Sequence, residues 1–104
     1  MKAIIAALFI ALSPMAAQAQ QATCADWGSL AETIMEQRQK GAAMSGLMSL
    51  VDGMDGADMV RAIIRDAYNR PRYMTREMQL MEIQDFRNAV EAVCYQALDG
   101  DTPA

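Results

Sequence analysis

The sequence predicts an all-α fold: a small compact array of three to four helices whose N- and C-terminal helices are linked by one disulfide. Three observations favour it. Apolar residues recur at three- and four-residue steps in several separate stretches, which is typical of helices that bury one face. No stretch alternates apolar and polar residues as a half-buried strand would. The only two cysteines, Cys24 and Cys94, fall on the apolar faces of the first and last stretches.

Residues 1–19 have the features of a secretory signal peptide. Lys2 supplies the positive start, an apolar run follows from Ala3 to Leu12, and Ala17-Gln18-Ala19 fits the small-x-small cleavage pattern. The apolar run has about half of the roughly 20 residues that span a bilayer, so no stable membrane anchor is expected after cleavage. We therefore expect a periplasmic or secreted protein whose mature part, residues 20–104, is a single helical domain.

The composition argues against two classes of protein. Loss of Lys2 with the signal leaves eight basic and thirteen acidic side chains, a net charge of −5. Nucleic-acid binding is not expected, because its affinity depends on positive charge that neutralises phosphates. The chain has no histidine, which excludes the histidine-dependent nucleophilic triads. Neither enzymatic activity nor a cofactor is expected.

The first helix is expected to begin after Thr23, a residue type that caps helix N-termini, and to end near Gln39, before Gly41. Asp26 lies in its first turn, where a negative charge is favourable. The side chains that share its apolar face are Cys24, Trp27, Leu30, Ala31, Ile34 and Met35. Because Cys24 lies on that face, a disulfide partner for it should lie on another buried face.

Two shorter helices are expected in the middle, from Ala42 to Val51 and from Met59 to Tyr68, and they could be continuous. Two glycines within residues 52–58 favour a turn between them, and Asp55 or Asp58 is a candidate cap for the second. The aspartates of this turn are spaced by three residues, which does not match the calcium loop of an EF-hand. We interpret them as turn formers and caps.

The last helix is the longest pattern, running from Thr75, its expected cap, to Leu98. Two cysteines on buried faces of an exported protein are expected to pair, so a Cys24–Cys94 disulfide should clamp the first helix to the last. The predicted apolar stripe of the last helix comprises Leu80, Ile83, Phe86, Val90, Val93, Cys94 and Ala97.

Arginine and methionine are concentrated in one region: five of the seven arginines lie within sixteen residues, and methionines follow them. The simplest interpretation is solvated helix faces for the arginines and adaptable core packing for the methionines. The alternative is a docking surface at residues 61–81 for an acidic partner protein, because arginine, tyrosine and methionine are enriched at protein interfaces. The candidate partner-binding residues are Arg61, Arg65, Arg70, Arg72, Tyr73, Met74, Arg76, Met78 and Met81.

A set of residues spread over most of the mature chain carries a family resemblance: Cys24, Arg38 to Gly41, the run Ala67-Tyr-Asn-Arg-Pro-Arg-Tyr73, Thr75, Glu77, Gln79, Phe86-Arg-Asn88 and Cys94. In these residues the chain resembles small exported proteobacterial and phage proteins that have no assigned function. The resemblance implies export and supplies no activity.

Two classes of function follow from these observations. The main expectation is a non-catalytic protein that binds another protein in the same compartment, of the inhibitor, immunity, lysis-regulator or stress-chaperone type. The alternative is a periplasmic methionine-rich Cu(I)-binding protein, because thioethers bind Cu(I). No metal site is assigned to particular residues.

Overall fold

A computed structural model describes residues 22–99, so the predicted signal peptide at residues 1–19 and the tail beyond Asp99 lie outside the described residues. Within residues 22–99 the chain forms four helices and no strand, which confirms the predicted all-α fold. The two middle helices are separate rather than continuous. The helices are α1 (Cys24–Lys40), α2 (Met44–Val51), α3 (Ala57–Tyr68) and α4 (Arg76–Asp99).

Three predicted helix boundaries are confirmed by their capping contacts. The Thr23 hydroxyl accepts a hydrogen bond from the Asp26 backbone N–H, and the Asp26 carboxylate accepts one from the Thr23 N–H, a reciprocal capping box. Gly41 ends α1 with φ of +90°, a left-handed conformation that favours glycine. The Thr75 hydroxyl accepts a hydrogen bond from the Met78 N–H at the start of α4.

The predicted cap of α3 is wrong. The residue at the N-cap is Gly56, with φ of +73°, and no side chain caps this helix. Neither Asp55 nor Asp58 takes the role, because the left-handed turn places glycine at the cap. Asp58 lies instead in the first turn of α3, where its charge still favours the helix N-terminus.

Helix α1 lies at the centre of the fold and packs against both α4 and α3, while α2 packs mainly on α3. The core draws apolar residues from all four helices, and Phe86, Met35 and Ile64 are the largest fully buried apolar side chains. Burial of such side chains is the main favourable term in folding. The core cluster comprises Ala31, Ile34, Met35, Val51, Val60, Ile63, Ile64, Ala67, Ile83 and Phe86.

The apolar stripe predicted for α4 is buried only in its middle part. Ile83 and Phe86 are buried, but Leu80 is 46% exposed, Val93 is 65% exposed, and Ala97 is also exposed. The prediction that these three belong to the core is wrong. A helix of 24 residues is about 36 Å long, twice the length of the 12-residue α3. The ends of α4 therefore extend beyond what the neighbouring helices cover.

The predicted disulfide is confirmed: Cys24 of α1 is bonded to Cys94 of α4, with their Cα atoms 5.5 Å apart. Cys24 is buried. The bond joins the start of the first helix to the last quarter of the fourth. No helix within residues 22–99 is both long enough and apolar enough to span a membrane.

Helices α1 and α4 form the most extensive pair of the fold, and Gly28 lies where they meet. A Cβ at Gly28 would overlap the Glu91 carboxylate of α4. Glu91 accepts a hydrogen bond from Arg87 Nε at 2.7 Å, and Arg87 Nη1 also contacts Glu32 at 3.0 Å. The hydrogen bonds that the Arg87 guanidinium donates to Glu91 and then to Glu32 raise the pKa of Arg87. This cluster links α1 to α4 beside the core.

Candidate functional site

The outermost arginines of the predicted docking surface form exposed ion pairs within the chain. Arg61 Nη2 lies 2.9 Å from Asp52, and Arg61 Nη1 lies 3.4 Å from Asp58. Arg76 Nη1 lies 3.0 Å from Glu36 of α1. Exposed pairs of this kind contribute little to stability, typically below about 1 kcal/mol. Their charges are nevertheless partly neutralised by neighbours.

Two further arginines belong to the connector between α3 and α4, and both turn back onto the fold. Arg70 Nη1 lies 3.1 Å from the buried Glu82 carboxylate, and its guanidinium lies over the Phe86 ring at 4.9 Å from the centroid. Arg72 Nε donates a hydrogen bond to the Gln39 carbonyl at 3.0 Å. These side chains close the end of the core.

Gln39 is the polar residue on which the connector is held, and it is fully buried. Its Nε2 donates to the Pro71 carbonyl at 2.9 Å, and its Oε1 accepts from the Tyr73 N–H at 2.8 Å. Arg38 adds a hydrogen bond from Nη2 to the Arg70 carbonyl at 3.1 Å. Sequence reasoning missed Gln39 and Glu82. The available signal for Gln39 was its position four residues after Met35, which continues the apolar face of α1.

Tyr68 closes the same end from α3. Its hydroxyl donates to the Ala42 carbonyl, and the Arg38 guanidinium lies 5.1 Å from its ring centroid. Burial raises the pKa of the Tyr68 hydroxyl, and the nearby positive charge of Arg38 opposes that shift.

The methionines of the predicted docking surface are exposed. Met74 is 91% exposed, and Met78 and Met81 are also exposed at the start of α4. Tyr73 is half-buried, because its backbone is held by Gln39. The nine predicted residues therefore occupy four places: Arg61 beside the α2–α3 turn, the connector, the start of α4, and Arg65 on α3.

A feature that the sequence did not predict is an open groove between α3 and α4. The two helices both pack on α1 but contact each other only sparsely, so a cleft of about 590 Å³ remains between them. This volume lies within the range of about 300–1,000 Å³ that is typical of ligand clefts. Its lining residues are Trp27 from α1, Met59, Ala62, Ile63, Arg65, Asp66 and Asn69 from the α3 side, and Ala89, Val90, Val93, Cys94, Ala97 and Leu98 from α4.

The groove is mainly apolar and its apolar side chains are in part exposed. Leu98 is 72% exposed, and Met59 and Val93 are more than half exposed. They face a cleft whose lining includes the half-buried Trp27. Contiguous exposed apolar surface of this kind is typical of interaction sites. The uncovered part of the α4 stripe thus forms one wall of a candidate binding site.

Two charged residues line the groove, Arg65 and Asp66, and both are exposed. All seven arginines of the chain lie within residues 22–99. Arg65 is the only one whose guanidinium makes no ion pair or hydrogen bond with another residue of that range. The six others donate to carboxylates or backbone carbonyls: Arg38, Arg61, Arg70, Arg72, Arg76 and Arg87.

A second cleft, of about 150 Å³, lies on the other side of the fold among α1, α2 and α3. Its lining includes Leu30, Leu47 and the exposed Leu50. It is below the size range of typical ligand clefts. The α3–α4 groove is therefore the better candidate site.

The chemistry of the α3–α4 groove is apolar contact with two charges at its edge. Every buried side-chain nitrogen and oxygen within residues 22–99 has a hydrogen-bond partner, and no three histidine, cysteine or acidic residues of this range are placed to share a metal ion. The sulfur atoms of the two cysteines are joined in the disulfide, and Cys94 lines the groove. Comparison of the chain with protein-family models, curated proteins and solved structures finds no match.

Proposed function

We propose that this chain is a small exported, non-catalytic protein that acts by binding another protein in the groove between α3 and α4. The observation that carries the proposal is the groove itself, an open apolar cleft of about 590 Å³ with Val93 and Leu98 exposed along one wall. Exposing such side chains to water is unfavourable, and a partner that covers them gains that free energy on binding.

The occupant that fits this shape is an apolar helical segment of the partner protein. The groove has one helix on each side and Trp27 of a third helix among its lining residues, so a helix laid along it would complete a bundle-like arrangement. The groove-lining residues of α4 recur at helical steps between Ala89 and Leu98, which lie about 14 Å apart along the helix axis. Alanines on both sides, Ala62 and Ala97 among them, permit close helix packing. Two to three turns of a partner helix would match this length.

The proposed compartment, periplasmic or extracellular, rests on the predicted signal peptide and is compatible with the disulfide. Disulfides persist in oxidising environments such as the periplasm and the extracellular space. The proposed partner is therefore a protein of the same compartment. The proposal covers proteins of the inhibitor, immunity, lysis-regulator and stress-chaperone type, which act by binding another protein.

The proposal can be tested by selection from a displayed library of amphipathic helices. Wild-type protein should enrich peptides with an apolar stripe, and Val93→Glu should weaken their binding by about tenfold or more, because a buried unpaired carboxylate is costly. Val93 is 65% exposed, so the substitution should leave the fold intact. Leu50→Glu is the matched control, since Leu50 is 73% exposed and lies outside the groove.

Failure to enrich any helical peptide, or equal binding by wild type and Val93→Glu, would contradict the proposal. A second copy of the chain is another conceivable occupant. Sedimentation velocity would reveal it as a concentration-dependent dimer that Val93→Glu abolishes. That result would show that the groove binds a second copy of this chain and not a different protein.

Cu(I) binding is the second candidate function, and the observation that favours it is the exposure of three methionines close together in sequence. Met74, Met78 and Met81 are each at least 41% exposed near the start of α4. Thioethers are soft ligands that select Cu(I). Metal analysis after incubation with Cu(I) tests this function: stoichiometric copper, lost when all three methionines are replaced by leucine, would support it.

A further inference from the structure

We infer that the partner helix carries a carboxylate that pairs with Arg65, so that the α3–α4 groove selects an acidic apolar helix. The inference rests on the proposed function and specifies the chemistry of its partner. It reduces the candidate surface at residues 61–81 to one arginine, which lines the groove.

Arg65 differs from Arg61, which lies one turn earlier on α3, in its ion pairs within residues 22–99. Arg61 is neutralised by Asp52 and Asp58, at 2.9 and 3.4 Å. Within residues 22–99 no carboxylate lies in ion-pairing distance of Arg65. Asp66 follows it directly in the sequence, and adjacent residues of a helix do not face each other. Arg65 is thus the arginine available to an external anion.

Leaving Arg65 without a partner in a filled groove would cost free energy. An apolar helix that fills the groove removes water from the edge where Arg65 lies, and desolvating an unpaired guanidinium is unfavourable. A carboxylate on the occupant removes that penalty, because the planar guanidinium can donate two parallel hydrogen bonds to it. The same residue therefore favours acidic helices and disfavours neutral or basic ones.

The selectivity expected from Arg65 opposes the net charge of the whole protein. The mature chain carries a net charge of −5, which by itself favours basic ligands. Asp66 lines the same groove and would also repel an acidic ligand. At about 0.15 M ionic strength the screening length is about 8 Å, so distant charges act weakly and Arg65 and Asp66 are the two charges that act on an occupant of the groove. Of these two, the guanidinium on the longer side chain can donate two parallel hydrogen bonds to a carboxylate. A preference for acidic over basic helices would therefore show that Arg65, and not Asp66, sets the selectivity.

Two synthetic helices of about 18 residues test the inference. Both peptides have the same apolar stripe of leucine and alanine. At the positions that flank this stripe, one peptide has glutamates and the other has lysines. By fluorescence anisotropy at physiological salt, wild-type protein should bind the glutamate helix about tenfold more tightly, as expected for one charge-assisted contact. Arg65→Glu should reverse the preference. Arg76→Glu makes the same change of charge outside the groove and should keep it.

The outcomes separate this inference from the proposed function. Equal binding of both helices by wild type, unchanged in Arg65→Glu, overturns the role of Arg65 and leaves the groove as the binding site. Loss of the preference in Arg76→Glu but not in Arg65→Glu also overturns it. Binding of neither helix to wild-type protein overturns the proposed function together with the inference. Circular dichroism of both variants checks that the helical fold is kept.

Discussion

The two ends of the α1–α4 pair are built differently. At the connector end, formed by residues 38–42, residues 70–73 and residues 82–86, polar side chains close the core by hydrogen bonds. At the groove end, formed by Cys24, Trp27 and residues 89–98, a disulfide holds the helices and apolar side chains remain exposed. The comparison teaches that one end of the pair is held by buried hydrogen bonds, whereas the other is held by a covalent bond and leaves apolar side chains exposed beside it.

The comparison also explains the clustering of arginines. Arg70 and Arg72 lie close together in sequence because the connector is short and must be held to α1 and α4. Most of the cluster thus serves contacts within the chain. Arg65, which lines the groove, is the member whose guanidinium makes no ion pair or hydrogen bond within residues 22–99.

The largest expected effect comes from removing the disulfide at the groove end. Cys94→Ser opens a closed loop with a sequence separation of 70 residues, which should lower the free energy of unfolding by about 4 kcal/mol in the chain-entropy model. Urea unfolding measured by circular dichroism gives the difference. The double variant Cys24→Ser with Cys94→Ser should match the single variant. Unchanged unfolding, or free thiols in the native protein, would contradict the assignment.

At the connector end the largest effect is expected from Gln39→Ala. The change removes the acceptor for the Tyr73 N–H and the donor to the Pro71 carbonyl in a fully buried place, at a cost of about 2–3 kcal/mol. Gln37→Ala is the control, because Gln37 is only half-buried. It should change the free energy of unfolding by less than about 0.5 kcal/mol. Equal effects of both variants would show that the connector does not depend on Gln39.

Two glycines should respond to alanine with opposite signs. Gly41→Ala at the connector end should destabilise the protein by about 1 kcal/mol, because φ is +90° and the new Cβ would press on Arg72. Gly46→Ala in α2 should stabilise it by about 0.5–1 kcal/mol, since the position is helical and a Cβ there meets open space. Thermal unfolding of the pair measures both. Stabilisation by Gly41→Ala would refute the assigned cap.

The smallest effect concerns Tyr68 and depends on pH. At pH 7, Tyr68→Phe loses the hydrogen bond to the Ala42 carbonyl, about 0.5–1 kcal/mol. Because burial raises the pKa of Tyr68, the folded protein holds this proton more tightly than the unfolded chain. Its contribution is complete below about pH 10 and is lost as the pH rises through the folded pKa. The difference between wild type and variant should therefore shrink in alkaline urea titrations. A constant difference would contradict this role.

Local chemistry explains what the sequence could predict. Thr23, Gly41 and Thr75 mark helix ends through contacts within three or four residues, so their roles are readable in the sequence. The disulfide was also predictable, because Cys24 and Cys94 are the only two cysteines and both fall on apolar stripes. These inferences need no knowledge of how the helices are arranged.

The remaining features depend on contacts between distant parts of the chain. Gln39 is buried only because the connector, more than thirty residues later, folds over it. Val93 lies on an apolar stripe as predicted, yet it is exposed because α3 and α4 contact each other only sparsely. The groove follows from this arrangement of the helices, which no periodic pattern records. Arg65 could be separated from the other arginines only when their partners were known.

The disulfide makes residues 24–94 a covalent ring, since the bonded cysteines are 70 positions apart in the chain. A protease that cuts one exposed bond of the ring, for example in the turn between α2 and α3, opens it without producing two separate fragments. The cut protein keeps its mass apart from one added water, and its pieces separate only after reduction. In a compartment that contains proteases, a nicked molecule can therefore retain its helices together and continue to present the groove.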